Sequence, residues 1–562
     1  MAATKKTTRD RNAMKRPEPA NITVEGTMHR LALACSSGMM LAAAFPPSPL
    51  YSLAYVALIP FLLLLETVQG TWKLLRMSYL TFLIFHVATL YWIGGFVNGK
   101  DIWLMIAGAA VVLIHPLFYW PIVLLYVWVR KRLGLPAGLV FFIFAWITYE
   151  FSHSLSEFSF PWITLGNSQA YDLPRIQIAE FTSVYGLSFL VLTFNVIGFV
   201  LVTKLATRGW SFRSRSAMVS VTILFVLYFG PWIFGETRMR QVANDSSADT
   251  VHVGVVQPNV DPFDKWKNRA EQMPVLLAYT EKLASEKTDL VVWPETAIPL
   301  FILQPQYVNY LSSFRSILDS LRISVLTGLP SIVYYDSLGA PITAQKSMIS
   351  GKYYEEFNST TTFVRGHIDN PVYRKIILVP FAERIPYAET FRFLIEPLKW
   401  NVGIGMWGIG KDTVVFSVPL RSGHSVRFSS VICYESVYPD FVRQFVTRGA
   451  QFLVIITNDS WWGNTSGAYQ HVSYASLRAV ENRRWIIRSA NGGISGLIDP
   501  IGRIHNETKL YAAATIHGTV VARNAMTFYS KHGDIFALFC VACTAVFLLI
   551  ALLPQRKTDE LP

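Results

Sequence analysis

Charged residues and cysteines are both scarce in this chain of 562 residues, and each scarcity excludes a class of protein. Only 15% of the residues are charged, against about 25% in soluble globular proteins, so the chain as a whole is not a soluble globular protein. Four cysteines in this length exclude a disulfide-rich secreted scaffold. Apolar residues are abundant instead: they make up 52% of the chain and indicate a membrane protein.

The apolar residues form long runs. Seven stretches before residue 236 and an eighth near the end approach the roughly 20 residues that cross a bilayer as a helix. The first two are short, and Pro46 and Pro47 between them predict a tight hairpin. We therefore expect a polytopic α-helical membrane domain of about eight spans, seven within 29–235 and the last at 534–554. The stretches lie near 31–45, 51–66, 77–97, 102–129, 136–152, 183–203, 217–235 and 534–554.

Basic residues are distributed unevenly around these stretches. The chain has 50 Lys and Arg against 37 Asp and Glu, a net charge of +13, which in a soluble protein would suggest a nucleic-acid partner. Here sixteen of them lie in the terminus and short loops on one side of the stretches, and two on the other. The basic side is cytoplasmic in membrane proteins. We therefore expect segments 1–28 and 555–562 in the cytoplasm, the domain 236–533 on the exported side, and no nucleic-acid partner.

A single cysteine falls in the exported domain. Residues 236–533 contain only short strand-like and amphipathic segments, which predicts one soluble domain. Cys35, Cys540 and Cys543 lie inside predicted spans, so Cys433 has no disulfide partner in a compartment where disulfides form. A lone thiol of this kind is either a small buried apolar residue or a reactive nucleophile.

Three segments of this domain change from apolar to polar where a strand is expected to end. One apolar run ends at Cys433, a second ends at Glu295, and Lys375 directly precedes a third run that leads to Glu383. Side chains at strand ends face clefts, where a partly desolvated carboxylate is a better base for a thiol. Taken alone, Glu295 is equally well interpreted as a loop carboxylate, and Lys375 as a solvated side chain.

The order of these segments resembles a known superfamily. Their Glu, Lys and Cys motifs resemble those of the nitrilase (carbon-nitrogen hydrolase) superfamily, and their place between seven upstream spans and one downstream span resembles the apolipoprotein N-acyltransferase family over nearly the whole chain. The motifs are Trp293-Pro294-Glu295, Tyr373-Arg374-Lys375 followed by Leu378-Val379-Pro380-Phe381, and Cys433-Tyr434-Glu435. Further matches are Phe160-Pro161-Trp162, Gln257-Pro258-Asn259 with Trp266, Asn458-Asp459-Ser460-Trp461, and Gln470-His471.

The resemblance implies an αββα sandwich with Glu295, Lys375 and Cys433 as catalytic residues. Glu295 would take the thiol proton, the Cys433 thiolate would attack an ester carbonyl, and Lys375 would lower the thiol pKa and stabilise the oxyanion. Ala382 stands where the family usually has glycine, which places a methyl group next to Glu383. The residues implied to line or support the site are Trp266, Glu383, Tyr434 and Glu435.

The resemblance also implies a reaction. A fatty acyl chain would pass from a membrane phospholipid to Cys433 as a thioester, and then to the free α-amino group of the N-terminal diacylglyceryl-cysteine of an apolipoprotein, with ping-pong kinetics. The protein would be a multi-pass inner-membrane protein with a periplasmic catalytic domain. No cofactor is implied, and the eleven scattered histidines suggest no metal site.

The segment 384–410 carries many aromatic residues and ends in a cluster of glycines. As a mobile lid, it would lie on the membrane and close over acyl chains, with the glycines as hinges. As an ordinary loop, its aromatic side chains would pack on the domain. The candidate lid residues are Phe391, Phe393, Trp400 and Trp407.

Two other functions fit parts of the sequence. The same three residues would serve a membrane-tethered amidase or nitrilase that hydrolyses a small carbon-nitrogen substrate, although such an enzyme needs neither the aromatic segment nor seven upstream spans. A transporter or scaffold with a degenerate domain is the second alternative, and transport would place ionisable residues inside the spans. These spans contain few of them, chiefly His86 and His115, which argues against transport.

Overall fold

The computed structural model describes residues 26–95, 102–207, 214–243, 249–262, 264–348, 351–364, 371–390 and 406–554. Within these ranges a bundle of apolar helices leads into an α/β domain, and one more apolar helix follows that domain. The predicted combination of a polytopic helical region with an α/β sandwich is confirmed.

Most described helices before residue 244 are apolar. The described part of the chain contains six helical segments that are long and apolar enough to cross a membrane: Thr71–Leu90, Leu104–Leu133, Leu135–Ser154, Ala179–Ala206, Arg215–Ala243 and Ile535–Leu552. The first two predicted spans form shorter helices, since Thr27–Ala43 has 17 residues and Tyr51–Thr67 falls below the length of a full span. The total of eight spans stays a prediction.

The helices have the following bounds. Those of the membrane region are α1 (Thr27–Ala43), α2 (Ala54–Ala57), α3 (Ile59–Thr67), α4 (Thr71–Leu90), α5 (Ile102–Ile114), α6 (Trp120–Leu133), α7 (Leu135–Ser154), α8 (Leu173–Ile176), α9 (Ala179–Thr207) and α10 (Arg215–Ala243). The later ones are α11 (Gln272–Ala284), α12 (Val308–Leu321), α13 (Pro439–Thr447), α14 (Ser466–Asn482), α15 (Phe528–His532) and α16 (Ile535–Leu552).

Two mixed β-sheets form the centre of the α/β domain. Their strands are β1 (Thr250–Gln257), β2 (Leu290–Val292), β3 (Ser324–Tyr335), β4 (Gln345–Lys346), β5 (Tyr353–Phe363), β6 (Tyr373–Arg374), β7 (Phe416–Pro419), β8 (Ser425–Ile432), β9 (Phe452–Thr457), β10 (Ile486–Ala490), β11 (Gly496–Ile498), β12 (Ile504–His505) and β13 (Ala514–Val521). The first sheet has the order β13-β1-β2-β3-β5-β4, with β6 paired to β5, and the second has the order β12-β11-β10-β9-β8-β7.

The sheets pack against each other, and helices cover their outer faces. Val255 of the first sheet and Val431 of the second belong to one hydrophobic core, while α11 and α12 pack on the first sheet around Val291. In the second sheet, β8, β9 and β10 run parallel. β9 reads Phe-Leu-Val-Ile-Ile-Thr and is buried throughout, as parallel strands covered on both faces require. The result is a four-layer sandwich.

Gln470 in α14 joins the sandwich to the membrane helices. Its side-chain oxygen accepts hydrogen bonds from the indole N–H groups of Trp92 (3.1 Å) and Trp162 (2.8 Å). Its side-chain nitrogen donates to the backbone oxygens of Pro46 (3.0 Å) and Thr89 (3.2 Å). The residue is 1% exposed, so both lone pairs and both protons of a buried amide are used on the membrane domain.

A second joint between the two parts is ionic. Glu180 in α9 pairs with Arg483, which follows α14 (2.9 Å), and with Arg238 in α10 (2.7 Å). Nearby, Glu481 accepts a 2.8 Å hydrogen bond from the Ser183 hydroxyl. Removing one partner of a buried ion pair is costly, so these contacts fix the sandwich on α9 and α10 in one orientation.

Replacing Gln470 with leucine should loosen the first joint. The variant would leave the Trp162 indole N–H and the Pro46 carbonyl without their partners in a buried site, and each loss costs about 1–3 kcal/mol. The Trp92 indole N–H and the Thr89 carbonyl would keep the 3.1 Å hydrogen bond that joins them. We expect a large drop in the thermal unfolding temperature of the detergent-purified protein. Gln272→Leu is the matched control, because the Gln272 amide makes its 3.4 Å contact to the Asn268 oxygen near the surface. Equal stability of the two variants would contradict the role given to Gln470.

Candidate active site

Glu295, Lys375 and Cys433 follow the ends of β2, β6 and β8. The structure brings the first two together, with Nζ of Lys375 lying 3.6 Å from Oε1 of Glu295. The turn of Cys433 lies beside them, because Glu435, two residues further on, accepts hydrogen bonds from Tyr373 and from the backbone N–H of Ile376, on either side of Lys375. A nucleophile beside a carboxylate and a fixed cation is the arrangement that acyl transfer requires.

Lys375 is buried between two carboxylates. Its side chain is 1% exposed, and its Nζ donates a 2.8 Å hydrogen bond to Oε1 of Glu383. Burial alone would lower the pKa of Lys375, but the carboxylates of Glu383 and Glu295 outweigh burial and raise the pKa. The side chain therefore remains a cation that is able to stabilise an oxyanion formed at Cys433.

Glu295 has the environment of a general base. Its Oε1 accepts a 2.7 Å hydrogen bond from the Asn358 side chain in β5. Burial raises the pKa of Glu295 above its usual range, and the charge of Lys375 opposes the rise. A carboxylate with a raised pKa takes a proton more readily near neutral pH, which suits the removal of a thiol proton.

Cys433 occupies a strained turn. Its φ of 51° lies in the left-handed region that residues other than glycine rarely adopt, and such strain is concentrated at functional sites. As expected from the sequence, the charge of Lys375 lowers the pKa of the thiol, but it does not decide the direction of the net shift. Burial, followed by the charge of Glu295, raises the pKa of Cys433, and Lys375 offsets the rise only in part. The resting residue is therefore a neutral thiol that needs a base.

Glu383 takes part in the cluster, although Ala382 precedes it. Besides its contact with Lys375, Glu383 accepts a 2.8 Å hydrogen bond at Oε2 from the backbone N–H of Val379. The left-handed φ in this turn, 63°, belongs to Phe381. A methyl group at position 382 is therefore compatible with the turn, and Glu383 is held as the second carboxylate on Lys375.

Glu435 supports the turn of Cys433 from behind. Its buried carboxylate accepts 2.7 Å hydrogen bonds from the Tyr373 hydroxyl and from the backbone N–H of Ile376. These two donors flank Lys375 in the sequence. Glu435 therefore ties the Cys433 turn to the segment that carries the lysine, and its side chain is fully buried.

Tyr434 connects the Cys433 turn to the membrane domain. Its hydroxyl donates a 2.8 Å hydrogen bond to the backbone oxygen of Ser159. Its ring stacks on Phe160 and Trp162, with centroid distances of 6.4 and 6.5 Å. The residue next to Cys433 is therefore anchored in the loop between α7 and α8.

Known proteins share both parts of the chain. Residues 37–197 match the family model of the apolipoprotein N-acyltransferase N-terminal domain, and residues 252–523 match that of the carbon-nitrogen hydrolases. The apolipoprotein N-acyltransferase of Chlorobaculum tepidum is 33% identical over 530 residues, which are 92% of this chain and 96% of that protein. The chain belongs to the apolipoprotein N-acyltransferase family.

Other relatives agree with this assignment. The apolipoprotein N-acyltransferases of Geobacter metallireducens and Pseudomonas aeruginosa are 32% and 28% identical, over 94% and 77% of this chain and 95% and 78% of theirs. Among solved structures, a mutant amidase from Nesterenkonia sp. AN1 aligns with 51% of this chain and 96% of its own, at 15% identity and a TM-score of 0.36. Family membership makes the protein an acyltransferase of the nitrilase superfamily.

The remaining predicted site residues are described only in part. Trp266 follows β1, and its ring centroid lies 5.6 Å from the guanidinium carbon of Arg269. The backbone N–H of Trp407 donates a 3.2 Å hydrogen bond to the backbone oxygen of Glu383, which places Trp407 beside the cluster. The other three lid candidates lie outside the described residues of this chain: Phe391, Phe393 and Trp400.

Asn358 is a site residue that the sequence analysis missed. Its side-chain nitrogen lies 2.7 Å from Oε1 of Glu295 and 3.4 Å from Oε1 of Glu383, so one amide orients both carboxylates. The available signal was a run of five polar residues, Asn-Ser-Thr-Thr-Thr, that begins at Asn358 inside a strand and is fully buried. Such a run is unusual for a buried strand and indicates a polar network.

A second missed feature is an ionic cluster behind the Cys433 turn. Asp459 pairs with Arg488 (2.7 Å) and contacts His471 (2.9 Å), whose other ring nitrogen lies 3.2 Å from the backbone oxygen of Cys433. Burial would raise the pKa of Asp459, but Arg488 and His471 outweigh burial and lower the pKa to about 2. In the described ranges, no group of three or more His, Cys, Asp or Glu is placed to hold a metal ion.

Lys375→Met should destabilise the protein as well as abolish its activity. The variant would leave Glu295 and Glu383 buried without their cation, and breaking a buried pair in this way costs about 3–5 kcal/mol. Adding Glu383→Gln removes one of the two carboxylates and should restore part of the stability, as measured by thermal unfolding, but no activity. The exposed Lys346 supplies the control variant Lys346→Met. A wild-type unfolding temperature for Lys375→Met would show that the pairing does not stabilise the fold.

Proposed function

We propose that this protein transfers a fatty acyl chain from a membrane phospholipid, through a thioester on Cys433, to the α-amino group of the N-terminal diacylglyceryl-cysteine of apolipoproteins. The observation that carries the proposal is the cluster of the half-buried Cys433 with the buried Lys375 and Glu295, in a sandwich that is hydrogen-bonded to the apolar helix α4 at Thr89. The relatives named apolipoprotein N-acyltransferase align with this chain over nearly their whole length. Both substrates are anchored in a membrane, so an enzyme with its own membrane domain reaches both.

In the first half-reaction, Glu295 takes the thiol proton while the Cys433 sulfur attacks the carbonyl carbon of the ester. A carbon–sulfur bond forms, and negative charge develops on the carbonyl oxygen, where the Lys375 ammonium stabilises it. The ester carbon–oxygen bond then breaks. Glu295 gives its proton to the departing alkoxide, which leaves as the hydroxyl group of a lysophospholipid, and the acyl chain remains on Cys433.

In the second half-reaction, the free amine attacks the thioester carbonyl. A carbon–nitrogen bond forms, the carbon–sulfur bond breaks, and Lys375 again stabilises the oxyanion between these steps. Glu295 takes a proton from the amine nitrogen and passes it to the Cys433 thiolate, which restores the neutral thiol. Because the lysophospholipid leaves before the amine reacts, the kinetics are ping-pong.

We also propose that the sandwich is periplasmic and that both termini are cytoplasmic, in an inner membrane. The distribution of Lys and Arg supports this topology. Arg130, Lys131 and Arg132 form the end of α6, and the 20 residues of α7 then cover about 30 Å before the loop that holds Tyr434. The basic cluster and the sandwich therefore lie at opposite ends of the helices.

Mass spectrometry after incubation with phospholipid tests the thioester directly. The wild-type protein should gain a fatty-acyl mass on the peptide that contains Cys433, and Cys433→Ser and Cys433→Ala should fold but neither gain it nor transfer it. Cys543→Ser in α16 is the matched control, because it changes a cysteine outside the cluster. Acyl transfer by Cys433→Ala would exclude the thioester. Hydrolysis of a small amide without any acyl mass from phospholipid would favour an amidase.

We further propose that the segment 384–410 closes over the acyl chain. Tyr387 in this segment contacts Glu157 of the membrane domain twice: its backbone N–H donates to Oε2 of Glu157 (2.6 Å), and its hydroxyl accepts from the backbone N–H of Glu157 (3.2 Å). The rings of Phe158 and Tyr387 lie 5.3 Å apart. Exposed contacts of this kind can open and re-form without disturbing the core, as a lid requires.

A Trp400→Ala, Trp407→Ala double variant tests the lid. Each tryptophan contributes about 1.5–3 kcal/mol when it moves from water to acyl chains, so the variant should use long-chain phospholipid poorly and leave Cys433 reactive toward a small thiol reagent. Core tryptophans would instead cost about 3–5 kcal/mol each in stability. The measurements are acylation with long-chain and short-chain donors and thermal unfolding, with the exposed Trp72→Ala as control. Unchanged chain-length preference, or a large fall in unfolding temperature, would rule out the lid.

A further inference from the structure

Lys265 is a second buried lysine beside the proposed general base. It lies in the turn after β1, directly before Trp266, and is 3% exposed. Its Nζ donates hydrogen bonds to the backbone oxygen of Glu295 (2.9 Å) and to the Thr296 hydroxyl (2.7 Å). A buried ammonium group needs acceptors of this kind. Both acceptors belong to the turn that carries the base, and the mechanism above gives Lys265 no part.

The turn that carries Glu295 is one that needs support. Thr296 has a φ of 47°, in the left-handed region where a β-branched residue is strained. Gly328 in β3 lies against it so closely that a Cβ atom there would be 2.4 Å from the backbone nitrogen of Thr296 and 2.8 Å from Cα of Glu295. Close packing on β3 and the hydrogen bonds from Lys265 together hold the turn in this conformation.

Several charged or titratable groups surround the Glu295 carboxylate. Burial raises the pKa of Glu295; Lys375 lowers it, Glu383 raises it and Lys265 lowers it. The charge of Glu295 in turn acts on Cys433. Burial lowers the pKa of Lys265 to about 7, and Glu295 opposes that shift. Lys265 is therefore a cation on the acid side of neutrality, where a carboxyl group gains its proton.

We propose that Lys265 is a positioning residue for the general base: it fixes the Glu295 turn through two hydrogen bonds, and its charge favours the ionised carboxylate. The inference rests on the role of Glu295 in the proposed function. It also connects the segment of Trp266 to the base, because Lys265 and Trp266 are neighbours in one turn.

The pH dependence of Cys433 alkylation by iodoacetamide tests this role in the full-length, detergent-purified protein. The mass of the Cys433 peptide reports the rate, and no acyl transfer is needed. In the wild type, alkylation should rise with pH as Glu295 loses its proton and becomes able to accept that of the thiol. Lys265→Met removes a positive charge and raises the pKa of Glu295, so the midpoint of the rise should move up by about one pH unit.

Two further variants separate charge from geometry. Lys265→Gln keeps a hydrogen-bonding group without the charge, so it should move the midpoint of the alkylation rise as Lys265→Met does. If Lys265→Met fails to fold, Lys265→Gln replaces it in the test of the charge. Thr296→Val keeps the charge but loses one acceptor, so it should slow alkylation at every pH with an unchanged midpoint. Lys267→Met is the control, because Lys267 is exposed and pairs with Asp264 at 3.6 Å; it should behave as the wild type.

The outcomes distinguish this inference from the proposed function. An unmoved midpoint in a folded Lys265→Met or Lys265→Gln protein would overturn the charge effect, since a purely structural lysine would change the rate or the stability alone. Wild-type alkylation by Thr296→Val would overturn the positioning of the turn. A moved midpoint in a protein whose Cys433 never gains a fatty-acyl mass would support the role of Lys265 and refute the proposed acyl donor instead.

Discussion

The buried amide of Gln470 is the contact on which the geometry of the site depends. It binds the indole groups of Trp92 and Trp162 in the membrane domain, while the next residue, His471, lies 3.2 Å from the backbone oxygen of Cys433. Two consecutive residues of α14 thus contact the membrane domain and the Cys433 turn. Because an α-helix is a rigid element, the position of Cys433 is set relative to the membrane in which the proposed substrates lie.

Pairing of charges allows the cluster to be both buried and ionised. A carboxylate without a partner in an apolar site would take a proton and lose its function as a base. Lys375 is the cationic partner of Glu295 and Glu383, and Arg488 is the cationic partner of Asp459 behind the Cys433 turn. The ion pairs that neutralise each charged side chain also orient that side chain. The stability of the fold and the orientation of the site therefore depend on the same ion pairs.

Local patterns in the sequence predicted the parts of the structure that depend on local chemistry. Apolar runs predicted the helices, and changes from apolar to polar residues at strand ends pointed to Glu295 and Cys433. The joint at Gln470 could not be predicted in this way, because Trp92 is 378 residues and Trp162 is 308 residues away in the chain. The direction of the pKa shift of Cys433 was also beyond local patterns, since it is the balance between burial and two opposing charges.

That balance has a consequence for the acyl-enzyme. A thiol with a raised pKa forms a thiolate that leaves a thioester reluctantly, because burial and the charge of Glu295 destabilise the anion. A nucleophile that gives a proton to Glu295 lowers this barrier, because the protonated Glu295 no longer repels the departing thiolate and can supply its proton. The burial that raises the pKa of the Cys433 thiol therefore makes departure of the thiolate from the proposed thioester depend on proton transfer to Glu295.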